Sequence, residues 1–593
     1  MTKRWALGAV VHAGGVHFRV WAPFAESVHI TGDFNNWDYK AHALERAEDG
    51  TWSLNIEDAK VGEEYQYVID YKGKQLLRND PRARQLTASG DKTIIVDPAF
   101  DWGDDNFTLP SVQKLLIYEL HVGTFNRPDP EVPGTFTEAI ERLDYLASLG
   151  VNAVEVMPIN SVWEDKWWGY TPINLYAIDA AYGGRHAFMH FVREAHKRGI
   201  GVIADVVYNH LSTDQTQNLW QFDGWNEDGK GGIYFYNDWR SQTPWGDTRL
   251  DYGRQEVRDF ITDHARQLLD ECNVDGLRLD AVLAIRKVVT TEFTEKAPDI
   301  PEGWQVLQDV TKLVADKPHG ISIAEDLQGN EWITKPASDG GAGFNAQWDV
   351  SFAACVREVL DPIADESRDM EKIRYILNGQ YNNDPFQRVI FTESHDTDAA
   401  GNGHARLDEE IAPGDATNIY ARKRSTLAAG LLLTAPGVPM LFQGQECMET
   451  GAFNHWQPLN WENVDRFEGV VTLYRHLIKL RQNTYGNSAG LLGPHIHVFA
   501  CDTDAKWLAY HRWDKGGAGD DVVVVANISN NKHDAIELTF PQPGVWRPRF
   551  NSDWKGYSED FNGVDCPEVT VGENNKGLVT IGPYSLIIFS QDA

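Results

Sequence analysis

Four short stretches gather carboxylates, a guanidinium and imidazoles at the ends of apolar runs. They are Asp205-Val206-Val207-Tyr208-Asn209-His210, Asp275-Gly276-Leu277-Arg278-Leu279-Asp280, Ala324-Glu325-Asp326 and Glu393-Ser394-His395-Asp396. Alternation along a strand sets Arg278 and Asp280 on the same side. No Cys/His set has zinc spacing, no serine stands in a Gly-x-Ser-x-Gly turn and no phosphate loop occurs. Carboxylates without a metal motif point to acid/base and nucleophilic work on a glycosidic bond. A carboxylate site for Mg²⁺ or Ca²⁺ is the rival reading. One aspartate at a strand end says little, whereas four runs ending this way say much more.

Such residues need a scaffold that brings strand ends together. From about residue 113, eight apolar runs alternate with amphipathic helical stretches: 115–122, 152–158, 201–209, 276–282, 321–326, 346–352, 388–396 and 439–446. Helical candidates between them include 135–150, 187–199 and 256–271. Eight strands separated by helices predict a parallel (β/α)8 TIM barrel, an α/β fold whose active site lies at the C-terminal strand ends. A doubly wound open sheet is the alternative, but no Gly-x-Gly-x-x-Gly follows a strand. An irregular insertion at about 210–253 is long enough to be functional.

The flanks differ from the centre. Residues 1–108 carry short β-branched and aromatic runs (16–23, 27–32, 51–56, 64–70) punctuated by Gly, Asn and Asp, which suits a β-sandwich. Trp37, Trp52 and Tyr65 read mainly as its core, with a carbohydrate-facing surface as the alternative. Residues 486–593 are again β-rich. The expected organisation is therefore an N-terminal β-sandwich over 1–108, a catalytic barrel over 109–485 and a C-terminal β-sandwich domain over 486–593.

The 593 residues hold 54 Lys and Arg against 87 Asp and Glu, a formal net charge of −33. So acidic a surface repels phosphate backbones and anionic lipid, which disfavours nucleic acid and membranes as partners. No apolar run approaches the ~20 residues of a membrane span. The five cysteines form no CxxC pair, and the N-terminus lacks a signal-peptide pattern, so a cytoplasmic location is expected. Oligomeric state is not legible.

The motifs DVVYNH (205–210), GLRLDAV (276–282), IAED (323–326) and ESHD (393–396) resemble, in order and at compatible spacing, the four best-known regions of the α-amylase superfamily. IYELHVGTF (117–125), WGYTP (168–172) and GVPMLFQGQE (437–446) fit the same pattern. VWAPFAESVHITGDFNNW (20–37) is similar to the N-terminal sandwich of branching enzymes, debranching enzymes and maltooligosyltrehalose trehalohydrolases. The resemblance covers nearly the whole chain. It implies Asp280 as the nucleophile, Glu325 as the general acid and then base, and Asp396 as the carboxylate that stabilises the distorted sugar. It also implies substrate contacts from Tyr170, Asp205, His210, Arg278, His395 and His121. Arg278 would keep Asp280 ionised, and Tyr170 would stack on the cleaved ring. No metal ligand set and no cofactor are expected. The partner is an α-glucan polysaccharide or oligosaccharide. Trp163, Trp167, Trp220, Trp225, Trp239 and Trp245 are candidates for outer glucose subsites.

Within the superfamily the acceptor decides the reaction. ESHD and the segment GQECMETGAFNHWQPLNW (443–460) resemble branching enzymes, which transfer a glucan chain to a 6-hydroxyl. Asn460 departs from the aspartate of that pattern, and AVLAIRK (281–287) is closer to the trehalohydrolases. The alternatives are thus a hydrolase of the α-amylase or trehalohydrolase type and, as a different class, a non-catalytic glucan-binding scaffold. The presence of Asp280, Glu325 and Asp396 together disfavours the scaffold.

Overall fold

The structure, a computed structural model, describes residues 6–163, 168–213 and 219–593. Its centre is a closed parallel barrel of eight strands in sequential order. The strands are Ile117–Leu120, Ala153–Val156, Gly201–Val206, Gly276–Leu279, Ile321–Ala324, Ala346–Trp348, Arg388–Ile390 and Val438–Phe442. Each lies within its expected run or one residue beyond it, and each is shorter than that run. The ladders include Glu119, Asp205 and Arg278 and stop before Asp280, Glu325 and Asp396, which therefore stand beyond the C-terminal strand ends. Gly276 opens the fourth strand because a Cβ there would come 2.4 Å from the Ile321 carbonyl oxygen on the fifth.

The expected helices form with adjustments. Thr135 caps Phe136–Ile140 through a reciprocal capping box with Glu138. Leu143–Leu149 then forms a separate helix. Gly184–His196 and Gln255–Arg266 are amphipathic, and the latter continues as a π turn over Gln267–Glu271.

Two compact units emerge from the packing. One holds Leu109–Leu120, Leu143–Val154 and Asn345–Ala593; the other holds the remaining described residues. In the latter, the N-terminal strands form two sheets. One runs Gly8–His12, Gly15–Trp21, Thr51–Ile56, Glu45–Arg46. The other runs His42–Ala43, Ser27–Gly32, Glu64–Tyr71, Lys74–Arg78, with Thr93–Ile94 paired to Glu64–Tyr71. Trp52 and Tyr65 are core, as expected: both are buried, and their polar atoms are bonded to the Ala22 carbonyl (2.9 Å) and Asp80 (2.8 Å). Trp37 is only partly buried, with the Lys92 ammonium 4.5 Å from its ring centre.

These sheets are tied to the barrel by ions and rings. Arg84 and Arg185 share Glu271 at 2.7 Å each, and Arg82 spans Tyr176 Oη (2.6 Å) and Asp263 (2.8 Å). A further tie lies at the N-terminal end of the barrel strands. The His196 ring sits between Asp105 (Nδ1, 2.7 Å) and Asp275 (Nε2, 2.9 Å), with Phe107 stacked on it at 4.6 Å. Burial works against charge on His196, but the bonds to Asp275 and then Asp105 outweigh it and raise its pKa. Burial likewise opposes ionisation of Asp105, and its contacts, led by His196, reverse this and lower its pKa.

In the other unit, His495–Asp502, Trp507–Trp513, Val522–Asn527, Ser585–Ser590, Gly544–Asn551 and Val569–Val571 form one sheet, and His533–Thr539 pairs with Lys576–Ile581. Trp546, Phe540, Phe589 and Val525 lead its core. Among the described residues, no helix is long and apolar enough to cross a membrane.

Candidate active site

Third and fourth barrel strands pair with Asp205 opposite Arg278, which aligns the polar ends of both motifs. Arg278 is fully buried. Its Nη1 donates to Asp205 at 2.9 and 3.0 Å and to Asp280 Oδ1 at 3.2 Å, and its Nη2 lies 3.1 Å from Glu325 Oε2. One guanidinium thus binds three carboxylates from three strands. Burial disfavours its charge, but Asp205, Tyr170, Glu325 and Asp280 overcome that and push its pKa well above the usual arginine range. Tyr170 donates to Asp205 Oδ2 at 2.5 Å, and its ring faces the guanidinium at 5.8 Å.

Asp280 is also held by Asn209, whose amide donates to Oδ2 at 2.7 Å and to the Asp280 carbonyl at 3.0 Å. The chain then turns sharply. Ala281 takes left-handed backbone angles (φ 40, ψ 53), a costly conformation for a residue with a Cβ. The turn aims the Ala281 amide at Glu325 Oε2, 2.8 Å away, while Val282 N–H bonds the Glu325 carbonyl at 2.8 Å. The local backbone around Asp280 therefore fixes Glu325 as well.

His210 is buried, bonds Asn209 through Nδ1, and stacks on Trp245 at 4.4 Å and 13°. Burial, reinforced by Arg249, pushes its pKa down to about 3, so the ring is neutral at physiological pH. His121 is buried as well, with Nδ1 3.1 Å from Thr124 Oγ1 and Nε2 3.2 Å from Tyr182 Oη.

In the other unit the seventh strand leads into His395 and Asp396. The His395 ring and amide both meet Glu119 on the first strand, and its Nε2 lies 3.5 Å from Asp396 Oδ1. The Asp396 side chain is 41% exposed, whereas Asp280 and Glu325 are buried.

The aromatic candidates divide. Trp245 and Trp239 are exposed. Trp225 stacks on Phe24 at 4.6 Å, which joins the N-terminal sheets to the insertion, and Trp163 packs on Ala83, Leu86, Ile173 and Ala177. Trp220 lies against Phe235. Trp167 is outside the described residues. Two residues that the motifs did not single out, Asn209 and Glu119, hold functional candidates directly. Both stand inside quoted motifs, and their polarity in apolar runs was the available signal. Among the described residues, no group of three or more His, Cys, Asp or Glu could hold a metal.

Family models agree with this geometry along the chain. Residues 6–83 match carbohydrate-binding module 48 (isoamylase N-terminal domain), 119–221 and 215–472 match the alpha amylase catalytic domain, and 498–592 match the alpha amylase C-terminal all-beta domain. Among curated relatives, 1,4-alpha-glucan branching enzyme GlgB 2 of Xanthomonas euvesicatoria pv. vesicatoria is 31% identical over 93% of this chain and 76% of its own length. The branching enzyme GlgB of Oceanobacillus iheyensis is 28% identical over 97% and 93%. A pullulanase from Paenibacillus barengoltzii shares the fold, with a TM-score of 0.77 at 20% identity over 100% of this chain and 96% of that one. So does one from Anoxybacillus sp. LM18-11 (0.75, 23%, 99% and 87%). The chain belongs to the α-amylase family.

Proposed function

We propose that this chain is a retaining 1,4-α-glucan branching enzyme. It cleaves an α-1,4-glucosidic bond and passes the released glucan chain to a 6-hydroxyl, creating an α-1,6 branch. The observation that carries the reading is the buried Arg278 gripping Asp280 and Glu325 together, in a chain whose curated relatives along nearly its full length are branching enzymes.

In this reading Asp280 attacks the anomeric carbon, and the bond to the leaving oxygen breaks as Glu325 protonates it. The glycosyl-enzyme ester is then attacked by the acceptor 6-hydroxyl, whose proton returns to Glu325, so configuration is retained. Arg278 and Asn209 keep Asp280 ionised and aimed. Glu325 Oε2 accepts from the Ala281 amide and faces Arg278 Nη2 at 3.1 Å, which leaves the catalytic proton to Oε1. Asp396, exposed at its carboxylate, binds sugar hydroxyls as the ring distorts, with His395 beside it. Asp205 orients Arg278. Tyr170, neutral His210 and buried His121 complete the sugar contacts, with Trp245 the strongest outer platform. The working division is 1–108, 109–485 and 486–593, and the location is cytoplasmic. The partner is an α-glucan of glycogen or starch type, with neither nucleic acid nor membrane engaged.

The test is incubation with amylose. Loss of iodine colour, new isoamylase-released chains and few new reducing ends are expected, and Asp280→Asn should lower the rate more than a thousandfold, to on the order of the residual rates left when a nucleophile is removed. Reducing ends that rise in step with colour loss would make the chain a hydrolase.

A further inference from the structure

Glu119 stands on the first barrel strand, inside a run that is otherwise apolar, and it is 1% exposed. A buried carboxylate must find donors. Glu119 finds two on a single residue of the seventh-strand loop. Its Oε2 accepts the His395 backbone N–H at 3.1 Å, and its Oε1 lies 2.5 Å from His395 Nδ1. The Glu119 carbonyl accepts from Gln443 N–H at 3.0 Å, so the strand that carries it is itself pinned. The His395 ring is further bounded by Trp348 at 5.8 Å, and Nε2 faces Asp396 Oδ1 at 3.5 Å.

We propose that Glu119 is a positioning residue that acts through His395: by gripping both ring and amide it keeps the proton on Nδ1 and presents Nε2, with Asp396, to the sugar. A carboxylate only accepts, so a bond from each of two donors on one residue fixes both the backbone and the ring tautomer. Glutamine in its place has one accepting and one donating arm. It can satisfy the amide or Nδ1–H, but not both. The assignment of a role for His395 and Asp396 in catalysis rests on the branching reading above, but the tautomer does not.

The full chain, labelled with ¹⁵N-histidine, should show a protonated Nδ1 for His395, identified by its loss in His395→Gln. In Glu119→Gln the Nδ1 proton population should fall. On amylose, Glu119→Gln should lower kcat roughly tenfold to a hundredfold, the range of a hydrogen bond to a charged group, with KM changed less than about threefold. In a His395→Ala background the same substitution should change kcat less than about threefold. An unprotonated Nδ1 in the wild type, or losses that multiply in the double variant, would overturn the proposal. Should the Glu119→Gln chain fail to fold, the wild-type tautomer still decides. Should the wild type lack activity on every α-glucan, the branching reading fails while the tautomer measurement stands.

Discussion

The fourth barrel strand has an ionic cluster at each end, and the two are built alike. At its C-terminal end Arg278 is bracketed by Asp205, Asp280 and Glu325. At its N-terminal end His196 is bracketed by Asp105 and by Asp275, the residue that precedes the strand. Both cations are buried and both owe their charge to carboxylates that outweigh desolvation. They differ in kind. Arginine does not release its proton in any working range, while histidine does. The end proposed for chemistry therefore has a charge that pH cannot switch, and the end that secures the 101–107 connection has one that it can.

Removing the fixed cation should have the larger effect. Arg278→Met leaves three carboxylates facing one another without compensation, and it should cost about 3–5 kcal/mol of stability by urea unfolding, alongside loss of branching. A variant as stable as the wild type would mean that the three carboxylates do not depend on Arg278. The titratable cation comes next. His196 has a raised folded pKa, so its contribution is complete below the unfolded value of about 6.5 and disappears as pH rises through the folded one. Asp105, with a lowered pKa, contributes above about 3.9 and loses its share as pH falls. The tie is therefore strongest between these limits. His196→Gln should cost about 2 kcal/mol at pH 6 and flatten the fall in stability above pH 6.5. Equal slopes in wild type and variant would remove the contrast between the two ends. The smallest effect is expected at Trp245, whose ring covers neutral His210. Trp245→Ala should raise KM for amylose about fivefold, near 1 kcal/mol, with little change in kcat. A fall in kcat with KM constant would place Trp245 in the chemistry instead.

Much of this was legible because polar strand ends break an otherwise apolar run. The runs that contain Asp205, Asp280, Glu325 and Asp396 locate four strands and their polar residues together. The sandwich core at Trp52 and Tyr65 followed from alternation. What escaped were relations that no local pattern carries. Asn209 reaches Asp280 across 71 residues and His395 reaches Glu119 across 276, so their motifs mark them as polar but do not say which residue each one meets. The left-handed turn at Ala281 falls on a residue type that gives no hint of it. In the C-terminal domain, strands His533–Thr539 and Gly544–Asn551 carry exposed polar residues that dilute their alternation. His196 resembled any basic residue near a helix end, and only the fold brings Asp105 and Asp275 to it.

The complete burial of Arg278 has a consequence for ionic strength. Mobile ions screen exposed charges within a Debye length of about 8 Å at 0.15 M, but they do not enter a dry interior. Added salt therefore relaxes the mutual repulsion of a surface that contributes to a net charge of −33, and weakens the attraction among Arg278, Asp205, Asp280 and Glu325 much less. The interior electrostatics respond far less to the bath than the surface does, so the Arg278 cluster keeps its charges in dilute and in brackish surroundings.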